Sequence, residues 1–343
     1  MILSIIVPVY NMASDKKLEY CLDSLVAQTV TDYEIIAVDD CSTDESLQIL
    51  RRYEAEYPDR FRVIASEVNH HQGGAKNLGI RSAKGDWIGF IDADDWITPD
   101  FYERLIGKAE ETGADCVGCD YSLCYEHTMK VGEVIDRNSR PDQVGILGDE
   151  QKRSMILNGG SLCVKIFRRS MILDNELFFP EDIFYEDNAM SNSYLLLNKH
   201  YEYISEPLYY YYQHSSSTVH TVTVERCEDR KTAGRIMLSE AGRHGFLDSY
   251  KPELEFSFTR LFYINTLFTY MPCVKGAKIS WVRELSKEMK RTFPDFMDNK
   301  YYVNQINPEE KKLIAMAMKS TLLFFCYYKL LWGYRNLRKR LSK

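Results

Sequence analysis

No apolar run in this chain reaches the ~20 residues that a membrane-crossing helix needs, so no transmembrane span is expected. No G-x-G-x-x-G follows the first strand-like run, and no G-x-x-x-x-G-K followed by Ser or Thr occurs, so dehydrogenase and P-loop chemistry lose their main support. Low-complexity tracts are missing too. With 45% apolar and 27% charged residues, the composition is that of an ordinary globular chain. The start, MILSIIVPVY, lacks a charged leader region and cleavage site, and the nine cysteines are odd in number and scattered from Cys21 to Cys326. Together these predict a reduced, cytosolic compartment.

Acidic residues stop at Glu310. Beyond it lie Lys311, Lys312, Lys319, Lys329, Arg335, Arg338, Lys339, Arg340 and Lys343, so the overall charge of −7 divides into +9 on the last 33 residues and −16 on the first 310. An acidic body argues against nucleic acid as a partner, whereas the cationic tail predicts an anionic surface, in particular a membrane. The length of 343 residues allows a large α/β domain with a smaller appendage, or two ordinary domains. The 24 tyrosines suit either a wet groove or a core in which their hydroxyls are bonded.

Cys116, Cys119, Cys124 and His127 have a spacing that zinc sites also use. The run from Asp115 to Tyr121 nevertheless reads as a buried strand, in which thiols act as small hydrophobes and residues three apart point to opposite faces. Packing is therefore expected, not zinc.

Through the first 120 residues strand-like runs alternate with amphipathic helical runs, the pattern of an α/β fold with a mostly parallel, Rossmann-like sheet flanked by helices. The predicted strands are Leu3-Val9, Glu34-Val38, Arg62-Ala65, Trp87-Ile91 and Cys116-Tyr121. Ser42 and Glu45 are spaced as a capping box before a helix to about Tyr57. Thr98-Pro99 supply an N-cap and first-turn proline before Phe101-Glu111, and Gly113 ends that helix. Residues 122 to 148 read as an inserted hairpin or loop, Leu162-Phe167 as a strand, Asp187-Leu197 as a helix and Tyr201-Tyr212 as an extended run. After Thr223 the pattern is wholly helical. The expected domains are 1–220, with a nucleotide-binding part to 120 and an acceptor-side part from 121, and a helical region 221–343 ending in a basic amphipathic helix.

The exits of the first, second and fourth strands read Val-Pro8-Val-Tyr10-Asn11, Val-Asp39-Asp40-Cys-Ser42 and Ile-Asp92-Ala93-Asp94-Asp95. In open α/β sheets ligands bind at the carboxyl ends of strands, so these loops should converge on one crevice. Five carboxylates there repel one another and call for a positive partner. Hard Asp oxygens suit Mg²⁺ or Mn²⁺, which complete their shells with water and diphosphate oxygens. Gly73-Gly74-Ala75-Lys76-Asn77 is a glycine-rich helix start at which Lys76 could meet a phosphate.

Taken in order, VPVYN, VDDCSTD, GGAKNLGI, GDWIGFIDADD and CVKIFRRSMILDNELFFPEDIFYED resemble the motifs of family-2 glycosyltransferases with the GT-A fold, over residues 1 to 215. By that resemblance Pro8, Tyr10, Asp39 and Asp40 would hold the base and ribose of a UDP-sugar donor. Lys76 would approach the nucleotide, Asp92 and Asp94 would bind ribose and the metal-diphosphate, and Asp187 would be the catalytic base. A carboxylate near an acceptor hydroxyl, ionised at neutral pH, is also what such transfer requires chemically; the alternative role for Asp187 is an N-cap.

The implied reaction is inverting transfer to a glycan or lipid-linked acceptor in cell-surface polysaccharide assembly, with the basic helix either at the inner membrane face or packed on the body, since apolar residues all round a helix also mean burial between neighbours. A catalytically silent nucleotide-sugar-binding subunit and a nucleotidyltransferase are the alternatives. The family usually carries Arg at the position of Lys76, and Arg after the tyrosine strand where this chain has Tyr212-Gln213-His214. His214 and His220 are therefore candidates to close over the donor or bind metal.

Overall fold

The structure is a computed structural model that describes residues 1–132, 134–214 and 222–341, apart from the side chains of 336 and 339–341. His220 lies outside the described residues. The chain divides into two compact units, Met1–Ser217 and Thr218–Lys343.

In the first unit β1 (Leu3–Val9) and β2 (Tyr33–Asp39) are buried along their whole length, which only a central strand covered on both faces can be. The covering helices are α1 (Lys17–Val26), α2 (Ser46–Glu56) after β2, and α3 (His71–Ser82) after β3 (Phe61–Ala65). Leu18, Leu22 and Leu25 of α1 and Leu50 of α2 pack with Ile5, Val7 and Ile35 in one core. On α3 a glycine is required: a Cβ on Gly79 would lie 2.5 Å from Ile6. The chain continues through β4 (Trp87–Phe90), β5 (Trp96–Ile97), α4 (Phe101–Thr112), β6 (Cys116–Cys124), β7 (Ile135–Asp136), β8 (Gly145–Ile146), α5 (Asp149–Asn158), β9 (Lys165–Arg168), α6 (Arg169–Asp174), α7 (Glu186–Leu196) and β10 (His200–Tyr212).

One sheet joins these strands in the order β3-β2-β1-β4-β9-β6-β10-β5, with β7 on β6 and β8 on β10. The half made of β3, β2, β1 and β4 is parallel, as expected. The acceptor-side half is mixed: β9 runs antiparallel to both β4 and β6, while β10 is parallel to β6. The inserted stretch holds the short β7 and β8, and α5 follows it as a helix the sequence pattern did not announce.

Two cap assignments are corrected. α2 begins at Ser46 without a side-chain cap, and Ser42 instead accepts from the Asn11 backbone N–H at 3.0 Å. α4 begins at Phe101 after Asp100, while the Thr98 hydroxyl is buried without a hydrogen-bond partner among the described residues. Its other end is as expected, with Gly113 left-handed at φ 72°. Cys116, Cys119 and Cys124 are free thiols buried in β6, and burial pushes all three upward from the ordinary thiol range. His127 stacks on Tyr20 at 4.8 Å.

The second unit is helical: α8 (Val224–Arg243), α9 (Phe246–Ser249), α10 (Lys251–Phe258), a π-helical turn at Thr259–Asn265, α11 (Thr266–Cys273), α12 (Ile279–Thr292), α13 (Lys300–Gln305), α14 (Pro308–Lys319) and α15 (Thr321–Leu341). α15 seats Phe324 and Tyr328 inward and leaves Leu323, Tyr327, Leu330, Tyr334 and Leu337 exposed at helical spacing.

Candidate functional site

Parallel register brings the three strand exits, two of them acidic, to one edge of the sheet. Val9 lies opposite Asp39, and β4 pairs with β1 up to Phe90 opposite Ile6. The loops after β1 and β2 are stitched together: the Met12 N–H donates to Ser46 Oγ at 2.7 Å, the Ala13 N–H to Asp44 Oδ2 at 3.0 Å and the Thr43 N–H to Asn11 Oδ1 at 2.8 Å. Asn11 reaches this position with a left-handed φ of 53°. Pro8 is buried within β1, and Tyr10 stands 46% exposed at its exit.

Asp39 and Asp40 are both buried. Asp39 accepts the Ser42 N–H at 3.2 Å and Asp40 the His70 N–H at 2.8 Å, yet each keeps a second carboxylate oxygen without a partner among the described residues. A buried, unpaired acceptor costs about 1–3 kcal/mol, so two at one edge point to a ligand that donates to them. Burial pushes the Asp40 carboxyl above the usual range.

The three neighbouring aspartates after β4 are held differently. Asp92 accepts the Cys163 thiol at 3.6 Å, and its other oxygen is buried without a partner among the described residues. Asp94 meets the His214 ring at 2.8 Å. Asp95 is sealed in, accepting the Tyr209 hydroxyl at 2.5 Å and the Tyr212 N–H at 2.9 Å, so it ties the loop to β10. Cys163 is a site residue that no sequence signal marked. Lys165 fixes its loop, with a buried ammonium donating to the carbonyls of Gly159 at 3.1 Å and Ser161 at 2.6 Å.

Lys76 does not project into an open phosphate site. It is 4% exposed and paired with Glu186 at 2.7 Å, with its ammonium 5.2 Å from the Phe179 ring centroid. Burial works against its charge, but Glu186, helped by the neighbouring Cys163, Asp92 and Asp187, outweighs it and holds the lysine protonated. The neighbouring glycines serve a packing need: a Cβ on Gly73 would lie 2.0 Å from the Pro180 carbonyl oxygen.

Asp187 is the second residue of α7, not its cap; that position is Tyr185, left-handed at φ 69°. The residue is exposed, and among the described residues its carboxylate accepts only the N–H of its neighbour Asn188, in a bond of 2.7 Å. Surrounding protein and the adjacent Glu186 push it up to about 6, against the pull of Lys76. Lys76 and Asp92 both act on Asp187 electrostatically, so the start of α7 lies within electrostatic reach of the β4 exit.

Among the described residues no three His, Cys, Asp or Glu groups enclose an ion by themselves. Asp92 with its unpaired oxygen and Asp94 beside His214 are nevertheless a hard, incomplete donor set. Such a set fits Mg²⁺ or Mn²⁺ that takes its remaining ligands from water and phosphate oxygens.

A profile of glycosyl transferase family 2 matches residues 4–171. EpsH of Bacillus subtilis (strain 168), which carries a glycosyltransferase name, is 33% identical over 261 residues, 74% of this chain and 72% of its own. The glycosyltransferase YibD of Escherichia coli (strain K12) is 31% identical over 219 residues, 63% of this chain and 62% of its own. Among solved structures, residues 1–349 of S. aureus TarS in complex with UDP superpose with a TM-score of 0.68 at 20% identity, covering 98% of this chain and 92% of that one. That likeness speaks for a shared fold.

Proposed function

The chain belongs to glycosyl transferase family 2 and has the GT-A fold, and from that premise we propose that it transfers a sugar from a UDP-sugar to a hydroxyl of a glycan or lipid-linked acceptor, with inversion, in cell-surface polysaccharide assembly. One observation carries this reading: an exposed carboxylate at the start of α7 lies within electrostatic reach of Asp92, whose second oxygen is buried without a partner among the described residues, at the sheet edge where Asp39 and Asp40 also keep such oxygens. The TarS fragment was solved with UDP and with UDP-GlcNAc, which supports a uridine donor.

In this reading Pro8 and Tyr10 flank the base, and the free oxygens of Asp39 and Asp40 accept from the base or ribose. Asp92 faces the ribose and diphosphate. Asp94, with His214 beside it, would hold Mn²⁺ or Mg²⁺, which when bound neutralises the charge of the leaving diphosphate. The acceptor oxygen bonds to the anomeric carbon as the bond from that carbon to the diphosphate oxygen breaks. The bonding pair leaves with UDP, and the hydroxyl proton passes to Asp187. Positioning donor and acceptor in line supplies much of the acceleration.

UDP release measured across a panel of UDP-sugars with Mn²⁺ and candidate acceptors tests the proposal. Release with one donor, stimulated by an acceptor, is the expected result. Tight UDP binding without release from any donor would favour a silent partner subunit, and pyrophosphate release from UTP with a sugar phosphate a nucleotidyltransferase.

α15 is read as the contact with the inner membrane face. Its exposed stripe includes Leu330 at 75%, Lys329 and Arg338 are exposed beside it, and no acid follows Glu310. Among the described residues no helix is long and apolar enough to cross a membrane. Leu330→Glu combined with Leu337→Glu should weaken sedimentation with phosphatidylglycerol vesicles by about tenfold or more, since each change removes apolar burial and adds an anion. Unchanged sedimentation overturns the assignment.

A further inference from the structure

The segment carrying Asp187 is docked on α3 through contacts that leave almost no freedom. Asn77 grips a single backbone unit in both directions, its Nδ2 donating to the Phe179 carbonyl at 2.8 Å and its Oδ1 accepting the Phe179 N–H at 2.8 Å. The Asp182 N–H donates to the His70 carbonyl at 3.2 Å, and Gly73 admits the Pro180 carbonyl where any side chain would collide. At the end of this zip the Lys76 ammonium meets Glu186, the residue before Asp187, with both side chains almost fully buried.

We propose that Lys76 and Glu186 are a positioning pair: the buried ion pair anchors the amino end of α7 on α3 and thereby fixes where the Asp187 carboxylate points, and Lys76 is not a donor phosphate ligand. This rests on the reading of Asp187 as base. A lysine devoted to the diphosphate would keep its ammonium toward the crevice, whereas here it is enclosed by Glu186 and the face of Phe179. Breaking such a pair leaves one buried charge uncompensated, which is strongly unfavourable, so the pair holds its geometry throughout turnover. The charged and titratable groups that face Asp187 are Glu186 from its own helix, Lys76 from α3, Asp92 from the β4 exit and Cys163 from the loop before β9. The pair therefore sets two opposing fields on the base as well as its direction.

The test is a set of pH–rate profiles with the active donor, alongside calorimetric titration with UDP and Mn²⁺. Lys76→Met should lower kcat by about 10²-fold, the scale of a misplaced reacting group. It should leave the UDP Kd within about threefold and move the acid limb of kcat to higher pH by about half a unit or more. Glu186→Gln should move the limb the opposite way, and Lys76→Arg should restore both kcat and the limb. If Lys76→Met does not fold, the Arg and Gln variants carry the test. A UDP Kd raised about tenfold in Lys76→Met with the limb unmoved would make Lys76 a nucleotide ligand and overturn the pair. Inactive Asp187→Asn with stationary limbs in all Lys76 and Glu186 variants removes the pair alone; active Asp187→Asn removes the base reading and the pair together.

Discussion

Asp187→Asn is expected to lower kcat by about 10² to 10⁴-fold while UDP and donor affinities stay within about threefold of the parent chain. Asparagine keeps the size of the side chain and removes its basicity. Among the described residues Asp187 accepts only the N–H of its neighbour Asn188, in a bond of 2.7 Å, so its replacement disturbs little structure. The sign of the pH dependence follows from the same group. A base works ionised, and the protein crowded around it together with Glu186 raises this carboxyl to about 6 although the residue reaches solvent, so transfer by the parent chain should fall about tenfold per unit below pH 6. Residual transfer by Asp187→Asn should lose that limb. Single-turnover rates against pH decide it: near-normal turnover in the variant, or an acid limb that survives the substitution, would remove Asp187 as the base.

The parts of this site that sequence made legible are those that a short stretch determines. β1 and β2 read as strands because every residue in them is buried between helical layers, and the acidic loops after β2 and β4 stand at the ligand-binding edge. Long-range pairing was not legible. Lys76 looked like a phosphate lysine because it follows glycines at a helix start, but its partner Glu186 is 110 residues further on. Gly73 answers to the Pro180 carbonyl, which is similarly distant in sequence, whereas Gly74 makes room for the nearby His70 side chain. Ser42 resembled a cap for the same reason: its competing partner, the Asn11 N–H, belongs to the previous strand exit. α5 escaped notice because its sequence, Asp149–Asn158, buries only Met155 and Ile156 and carries little helical periodicity. Local propensity fixes element type, whereas the roles of polar residues are assigned by whatever the fold lays against them.

The triplet after β4 shows this most sharply, and its central prediction is that Asp94→Asn lowers kcat/KM by about 10³-fold or more and abolishes the Mn²⁺ dependence of UDP binding. In sequence Asp92, Asp94 and Asp95 are interchangeable carboxylates. In the fold Asp95 is buried with both oxygens bonded, to the Tyr209 hydroxyl and the Tyr212 N–H, so it serves the loop and not a ligand in the crevice. Its replacement should register as a lower Tm. In the proposed reading Asp94, whose bonded neighbour is the His214 ring at 2.8 Å, takes the cation at the diphosphate beside Asp92, which keeps an oxygen unpaired among the described residues. A loss of about 4 kcal/mol in transition-state stabilisation corresponds to the predicted factor, and metal-held leaving groups are worth several kcal/mol. Two measurements separate these roles: UDP titrations with Mn²⁺ and with EDTA, and thermal melts of both variants. Metal-dependent UDP binding that persists in Asp94→Asn, or full transfer by the parent chain in EDTA, would remove the metal from Asp94. If Asp95→Asn instead proves fully stable and blind to Mn²⁺, the division of labour within the triplet is the part that fails.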